Sequence, residues 1–321
     1  MKDHGRRIVD GRLQTVDCGR KRLKKTKRIF FVFVWLQSTV CSLQSAVSTP
    51  SFVHAAEENK ADASADWQTL FNRGVGYGRR GNWDKAIESL KTAADLQPGK
   101  NEIYTNLSLA YAEKKDFDNA VHNAEKALQV DPNRANSYLA LGLAQEGKGN
   151  TDLAIKAYEQ GAVQDPKNSD IYLTLGNLYG RQTNFDKAID AYERAIKANK
   201  SNLFAYSNIA YIYEEKGDRV KALEYFTKAT EVDADDALAW YDLGAAYGKE
   251  GNRVKAIECY ERSHRLDPKR YKVCLSLALA HEDNGDSEKA SQYYTKALAL
   301  TDDPKLKEAI LRQVSRSGKK S

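Results

Sequence analysis

The residues able to do chemistry in this chain are few, and their spacing keeps them apart. The stretch from Gly74 to Gly81, GVGYGRRG, contains G-x-G-x-x-G from Gly76 onward. A dinucleotide site needs that motif between a strand and a helix, so that N–H groups at the helix start meet the pyrophosphate. Here the preceding WQTLFNR has a helical pattern, so no cofactor is expected. His122, His264 and His281 fall in separate segments, and there is no HExxH, CxxC or GK[ST]. No metal centre or phosphate loop is therefore expected. Ser, His and Asp occur at no spacing that suggests a triad. Adjacent acids such as Glu214 and Glu215 point in different directions from a helix. Asn106-Leu107-Ser108 has the letters of a glycosylation site but sits in a helical pattern. The chain reads as non-catalytic.

Four cysteines are too few for a disulfide scaffold. Cys18 and Cys41 lie near the N-terminus. Cys259 and Cys274 lie on neighbouring predicted helices. In an oxidising compartment they could form a disulfide, which requires Cα atoms within about 7 Å. Otherwise they are two separately buried thiols.

The elements that hold these residues come from a repeat. NFDKAIDAYERAIKAN, from Asn184 to Asn199, has near copies elsewhere, four of which end at Pro98, Pro132, Pro166 and Pro268, at multiples of 34 residues. Seven such repeats run 67–100, 101–134, 135–168, 169–202, 203–236, 237–270 and 271–304. Each splits into two halves with apolar residues at helical spacing, such as Tyr172, Leu175, Gly176 and Tyr179, then Ala188, Tyr192 and Ala195. A polar turn, often with glycine, separates them. Alanine recurs at Ala86, Ala120, Ala154, Ala188, Ala222, Ala256 and Ala290. A small residue recurs at Gly74, Ser108, Gly142, Gly176, Ala210, Gly244 and Ala278. Helices approach closely where side chains are small. Tyr77, Tyr111, Tyr179, Tyr213 and Tyr247 are expected to fill the space beside them. Leu306, Ile310 and Val314 share one face of a last helix, which caps the array within 305–321.

Net charge is +6, but residues 1–55 hold 11 Lys+Arg against 3 Asp+Glu, leaving 39 against 41 in the remainder. A nucleic-acid footprint needs a basic patch on the folded part, and none is expected. The excess lies in a leader: RKRLKKTKR at 20–28, then the apolar Ile29–Leu36, then small residues at Ala55 and Ala56. This arrangement matches a signal peptide cut between Ala55 and Ala56. It places the mature chain outside the cytoplasm, in a bacterial periplasm or cell envelope. An uncleaved leader would instead make the chain a membrane-anchored assembly factor, associated with the membrane through residues 29–47. Residues 56–66 read as a flexible tether.

WYDLGAAYGKEGNRVKAIECYERSHRLDP, from Trp240 to Pro268, follows the pattern W-x2-L-G-x2-Y, A-x3-F, P. The array resembles the tetratricopeptide repeat family over residues 67–304. Lys200 and Ala234 depart from it at the proline, and Gln145 and His281 at the tyrosine. The resemblance implies an all-α, right-handed superhelical solenoid whose first helices line a concave protein- or peptide-binding groove. Carried onto this chain, that groove presents Asn136, Leu139, Leu143, Leu173, Asn177, Phe204, Asn208, Tyr211, Leu238 and Tyr241. Asn177 and Asn208 match the asparagines with which some relatives grip a partner's C-terminal carboxylate. The basic members of that clamp are replaced by Leu173, Leu238 and Asp242. A carboxylate needs positive charge or several donors, so that function is not expected. An adaptor binding an extended segment or an amphipathic helix is.

Overall fold

A computed structural model describes residues 66–317. The leader with Cys18 and Cys41, the cleavage region, the tether up to residue 65 and the last four residues lie outside the described residues.

Fifteen α-helices and no strands occur among the described residues. In chain order they are α1 (Trp67–Arg79), α2 (Trp83–Leu96), α3 (Asn101–Glu113), α4 (Phe117–Val130) and α5 (Ala135–Gly147). Next come α6 (Thr151–Gln164), α7 (Ser169–Arg181), α8 (Phe185–Ala198), α9 (Leu203–Glu215) and α10 (Arg219–Val232). The last are α11 (Ala237–Glu250), α12 (Arg253–Leu266), α13 (Tyr271–Asp283), α14 (Ser287–Leu300) and α15 (Pro304–Ser317). The seven first helices start 34 residues apart, from Trp67 to Tyr271. The described residues form two compact units, 66–182 and 183–317, with α7 in the first and α8 in the second.

Polar side chains start the helices. Asp66, Asn82, Asp116, Asn168, Asn202, Asp218, Asp236, Asn252 and Asp286 each accept a bond from a first-turn N–H that lacks an intrahelical partner. Five of the seven second helices stop on an Asx turn. Asp131, Asp165, Asn199, Asp233 and Asp267 accept from the N–H two residues on, at 3.0–3.2 Å. This explains why Lys200 and Ala234 leave the loop unchanged: α8 and α10 end at the same place as their proline-bearing counterparts.

The turn between paired helices needs one residue with positive φ. Gly81, Gly149, Gly217, Gly251 and Gly285 supply it, with φ between 75 and 88°. Lys115 and Thr183 adopt it at 62 and 60°. For an L-residue that region costs roughly 1–2 kcal/mol, and a β-branched side chain is poorly suited to it. Thr183→Gly should therefore stabilise the chain by about 1 kcal/mol, after the glycine's extra unfolded-state entropy is set against the relief. Thermal unfolding of the two proteins checks this; an unchanged or lowered midpoint refutes it.

The recurrent alanines are all buried. The largest fully buried side chains, however, are not the first-helix tyrosines. They are Tyr158, Tyr192, Tyr294 and Phe226, each four residues after a recurrent alanine. A Cβ on Gly142 would stand 2.4 Å from the Tyr158 ring, and one on Gly244 would stand 2.8 Å from Tyr260. The small first-helix residue is thus the socket for the second-helix aromatic. Of the tyrosines expected to be fillers, only Tyr111 is buried. Tyr77, Tyr213 and Tyr247 are partly covered by Lys85, Lys221 and Lys255, whose ammonium groups lie 5.4, 4.9 and 5.1 Å from the ring centres. The capping face is as read: Leu306, Ile310 and Val314 pack on the core around Tyr294 and Ala297.

Candidate functional site

The residues expected to line a groove sit on first helices, and the two units hold separate sets. In residues 66–182, α5 carries Asn136, Leu139 and Leu143, and α7 carries Leu173 and Asn177. In residues 183–317, α9 carries Phe204, Asn208 and Tyr211, and α11 carries Leu238 and Tyr241.

Burial divides these sets. Leu139 is 5% exposed and Tyr241 6%, so both leave the list of side chains with much surface to offer. Tyr241 packs on Tyr260 with centroids 5.6 Å apart, because its helix turns that side toward the second helix of its own repeat. Leu143 packs beside Leu109, Ala124 and Ala140. Tyr211 meets Phe226 edge-on at 5.1 Å, and Leu238 packs on the core around Val273 and Leu277. These three hold the repeats together with one flank and keep part of their surface outside. Asn136, Leu173, Asn177, Phe204 and Asn208 are partly buried. The disulfide left open by the spacing is not formed, and both cysteines are free and buried. Cys259 faces Gly244 within its own repeat, whereas Cys274 Sγ lies 3.7 Å from His264 Nδ1, one further turn along α12. Burial pushes the Cys259 thiol up to about 11, so it is a poor nucleophile near neutral pH.

Two ion pairs that motif reading missed fasten first helices to each other. Arg181 Nη2 lies 2.8 Å from Glu146 Oε1, with side chains 26% and 9% exposed. Lys249 Nζ lies 2.7 Å from Glu214 Oε2. The signal was a base 35 residues after an acid, one more than the period. Burial also raises the carboxyls of Glu113, to about 7, and Asp170. Exposed pairs 30 residues apart, Lys114–Asp84, Lys148–Asp118 and Lys216–Asp186, link successive repeats at the turn side.

The motifs that letters alone might suggest are absorbed by the helices. Gly76 and Gly78 lie inside α1, with no strand before them. Asn106 is buried in α3 and donates to the Glu102 carbonyl, so the sequon is closed to modification. No cluster of three or more metal-ligating side chains occurs among the described residues. None of the described helices is long and apolar enough to cross a membrane; residues 29–47 lie outside them.

The fold defines an all-α helical-repeat protein. Family models described as tetratricopeptide repeat match residues 71–121, 114–169, 173–237, 237–270 and 273–308, and the chain belongs to that family. Among solved structures it is similar to the C-terminal part of a TPR repeat-containing protein from Cytophaga hutchinsonii. That match has a TM-score of 0.61 and 20% identity, covering 75% of this chain and 99% of the other. It is also similar to pilF of Pseudomonas aeruginosa, with a TM-score of 0.56 and 18% identity over 66% of this chain and 97% of the other. A third similar structure is MamA, 30% identical over 51% of this chain and 96% of the other, with a TM-score of 0.46. No curated protein matches the chain.

Proposed function

We propose that the chain is an exported, non-catalytic adaptor that binds a protein or peptide segment on the first-helix faces of its repeats. The observation that carries this reading is the mixture on those faces. In residues 66–182, partly buried Leu173 and Asn177 share α7 and Asn136 lies on α5; in residues 183–317, partly buried Phe204, Asn208 and Tyr211 share α9 and Leu238 lies on α11. Leucine and tyrosine can hold a ligand's side chains, and asparagine can both donate to and accept from its backbone. Leu173, Leu238 and Asp242 offer no positive charge, which argues against a terminal carboxylate as the anchor. The export half of the reading rests on the basic leader, its short apolar core and the small residues at Ala55 and Ala56.

Two variants test the binding half separately in each unit: Leu173→Ala with Asn177→Ala, and Asn208→Ala with Tyr211→Ala. Peptides selected from a random display library on residues 56–321 would be titrated against all three proteins. Loss of about 10- to 100-fold in affinity for at least one variant, with helicity unchanged, is the expected result, since a central contact is worth roughly 1–3 kcal/mol. Equal binding to all three would rule out these faces. N-terminal sequencing of the protein recovered from the cell envelope checks export; the mature chain should begin at Ala56.

A further inference from the structure

The seventh repeat replaces the recurrent first-helix tyrosine with His281, and around it three aromatic rings join three helices. His281 on α13 is 3% exposed. Its ring lies parallel to Tyr293 of α14, at 5.6 Å and 6°. Tyr293 meets His264 of α12 edge-on, at 5.8 Å and 84°. Neither ring nitrogen of His281 has a hydrogen-bond partner. The closest charge is Asp286, whose Oδ2 is 3.7 Å from Nδ1, beyond hydrogen-bonding distance. We propose that α13, α14 and α15 form an acid-sensitive end segment, which opens away from α12 when the two imidazoles around Tyr293 become charged.

The imidazoles are solvated unequally in the closed and open segments. An imidazolium needs two acceptors for its two N–H donors, and the packed site offers His281 none at bonding distance. A cation already lies over the phenol ring, since Lys296 Nζ is 4.6 Å from the Tyr293 centroid. The charged groups around the site do not reverse this. For His281, burial lowers its proton affinity most; Asp286 and Glu261 raise it, and Lys289 lowers it. For His264, burial again leads, Lys296 lowers it and Asp267 raises it. Glu282, next to His281, is engaged by the Tyr294 hydroxyl at 2.6 Å and by Gln313 of α15 at 3.0 Å.

Both imidazoles therefore bind protons more weakly in the closed segment than in the open one. The sign follows: their contribution is complete above the ordinary histidine value of about 6.5 and is lost as pH falls below it. Among the described residues the seventh repeat packs on the sixth on one side and on α15 on the other, and local opening of one such unit costs less than unfolding the array. The Glu282–Gln313 bonds make the cap move with the repeat.

Hydrogen exchange on the full chain at pH 7.5 and pH 5.0, corrected for intrinsic rates, tests the proposal. Amides of α13–α15 should lose about tenfold or more in protection at pH 5.0, one unit of differential proton binding being tenfold; those of α9–α11 should change little. His281→Tyr, which restores the residue found in five other repeats, should fold and cut the loss, and His281→Tyr with His264→Gln should abolish it. Protection falling equally in α9–α11 would overturn the proposal. So would an unchanged pH response in the double variant, or an NMR titration of His281 at or above the ordinary value.

Discussion

Tyr158→Ala is expected to destabilise the third repeat by about 3–5 kcal/mol, the range for truncating a large buried aromatic. Tyr158 is 0% exposed and its ring occupies the space a Cβ on Gly142 would need. Removing the ring leaves a socket with nothing on the opposing helix to close it, because Gly142 has no side chain. Tyr158→Phe separates the ring from its hydroxyl, which donates to Glu146 Oε2 at 3.3 Å; losing that long bond should cost about 1 kcal/mol or less. Gly142→Ala approaches the contact from the other side. Its methyl would force the ring to move, and overpacking of about 1–3 kcal/mol should outweigh the helix-propensity gain of roughly 1 kcal/mol. Gly76→Ala is the control, since its Cβ would meet nothing closer than Arg80 at 4.0 Å; it should be neutral or stabilising. A repeat array need not unfold in one step, so the measurement is hydrogen exchange across α5 and α6. Equal protection in Tyr158→Ala and the parent would show that the ring is not what joins these helices.

Arg181→Met is the second large effect. The Glu146 carboxylate, 9% exposed, keeps its charge while losing its guanidinium. Breaking a buried pair costs about 3–5 kcal/mol; with Arg181 itself 26% exposed, solvent screening brings the expectation to about 2–3 kcal/mol. Acid should reduce the loss. A buried carboxylate that has lost its cation and keeps the Tyr158 hydroxyl favours its neutral form, so the variant's deficit against the parent should be smaller at pH 5.0 than at pH 7.5. Arg181→Met with Glu146→Gln should recover most of the loss at neutral pH. Hydrogen exchange across α5 and α7 at pH 7.5 and 5.0, corrected for intrinsic rates, gives the coupling for the four members of this cycle. Additive single effects would show that the pair contributes no coupling.

Much of this protein could be read along one dimension. The 34-residue period, the starts of the first helices, the buried alanines and the apolar face of α15 all follow from short-range pattern. A helix forms and stops by what stands within four residues of each position, and the Asp or Asn at five of the second-helix stops acts two residues on. That locality also explains why Lys200 and Ala234 could replace proline without moving a helix end. The same pattern accounts for Gly76 and Asn106, which belong to helix faces assigned by the period, but it did not show that His264 and His281 would meet around Tyr293.

Which flank of a helix meets which neighbour was not legible, because it depends on how far each helix rotates and shifts against the next. The rotation of each helix decides that Phe226, rather than Tyr213, fills the centre of the fifth repeat. It sinks Leu139 and Tyr241 while leaving Asn136 and Leu238 partly outside. It turns Cys259 toward Gly244 and Cys274 toward His264, keeping apart two thiols on neighbouring helices. It brings Arg181 to Glu146 and Lys249 to Glu214 across repeats. A linear sequence records side-chain size and charge at each position. The distances between those side chains arise when large residues settle into the sockets left by small ones, a condition that only packed helices can satisfy.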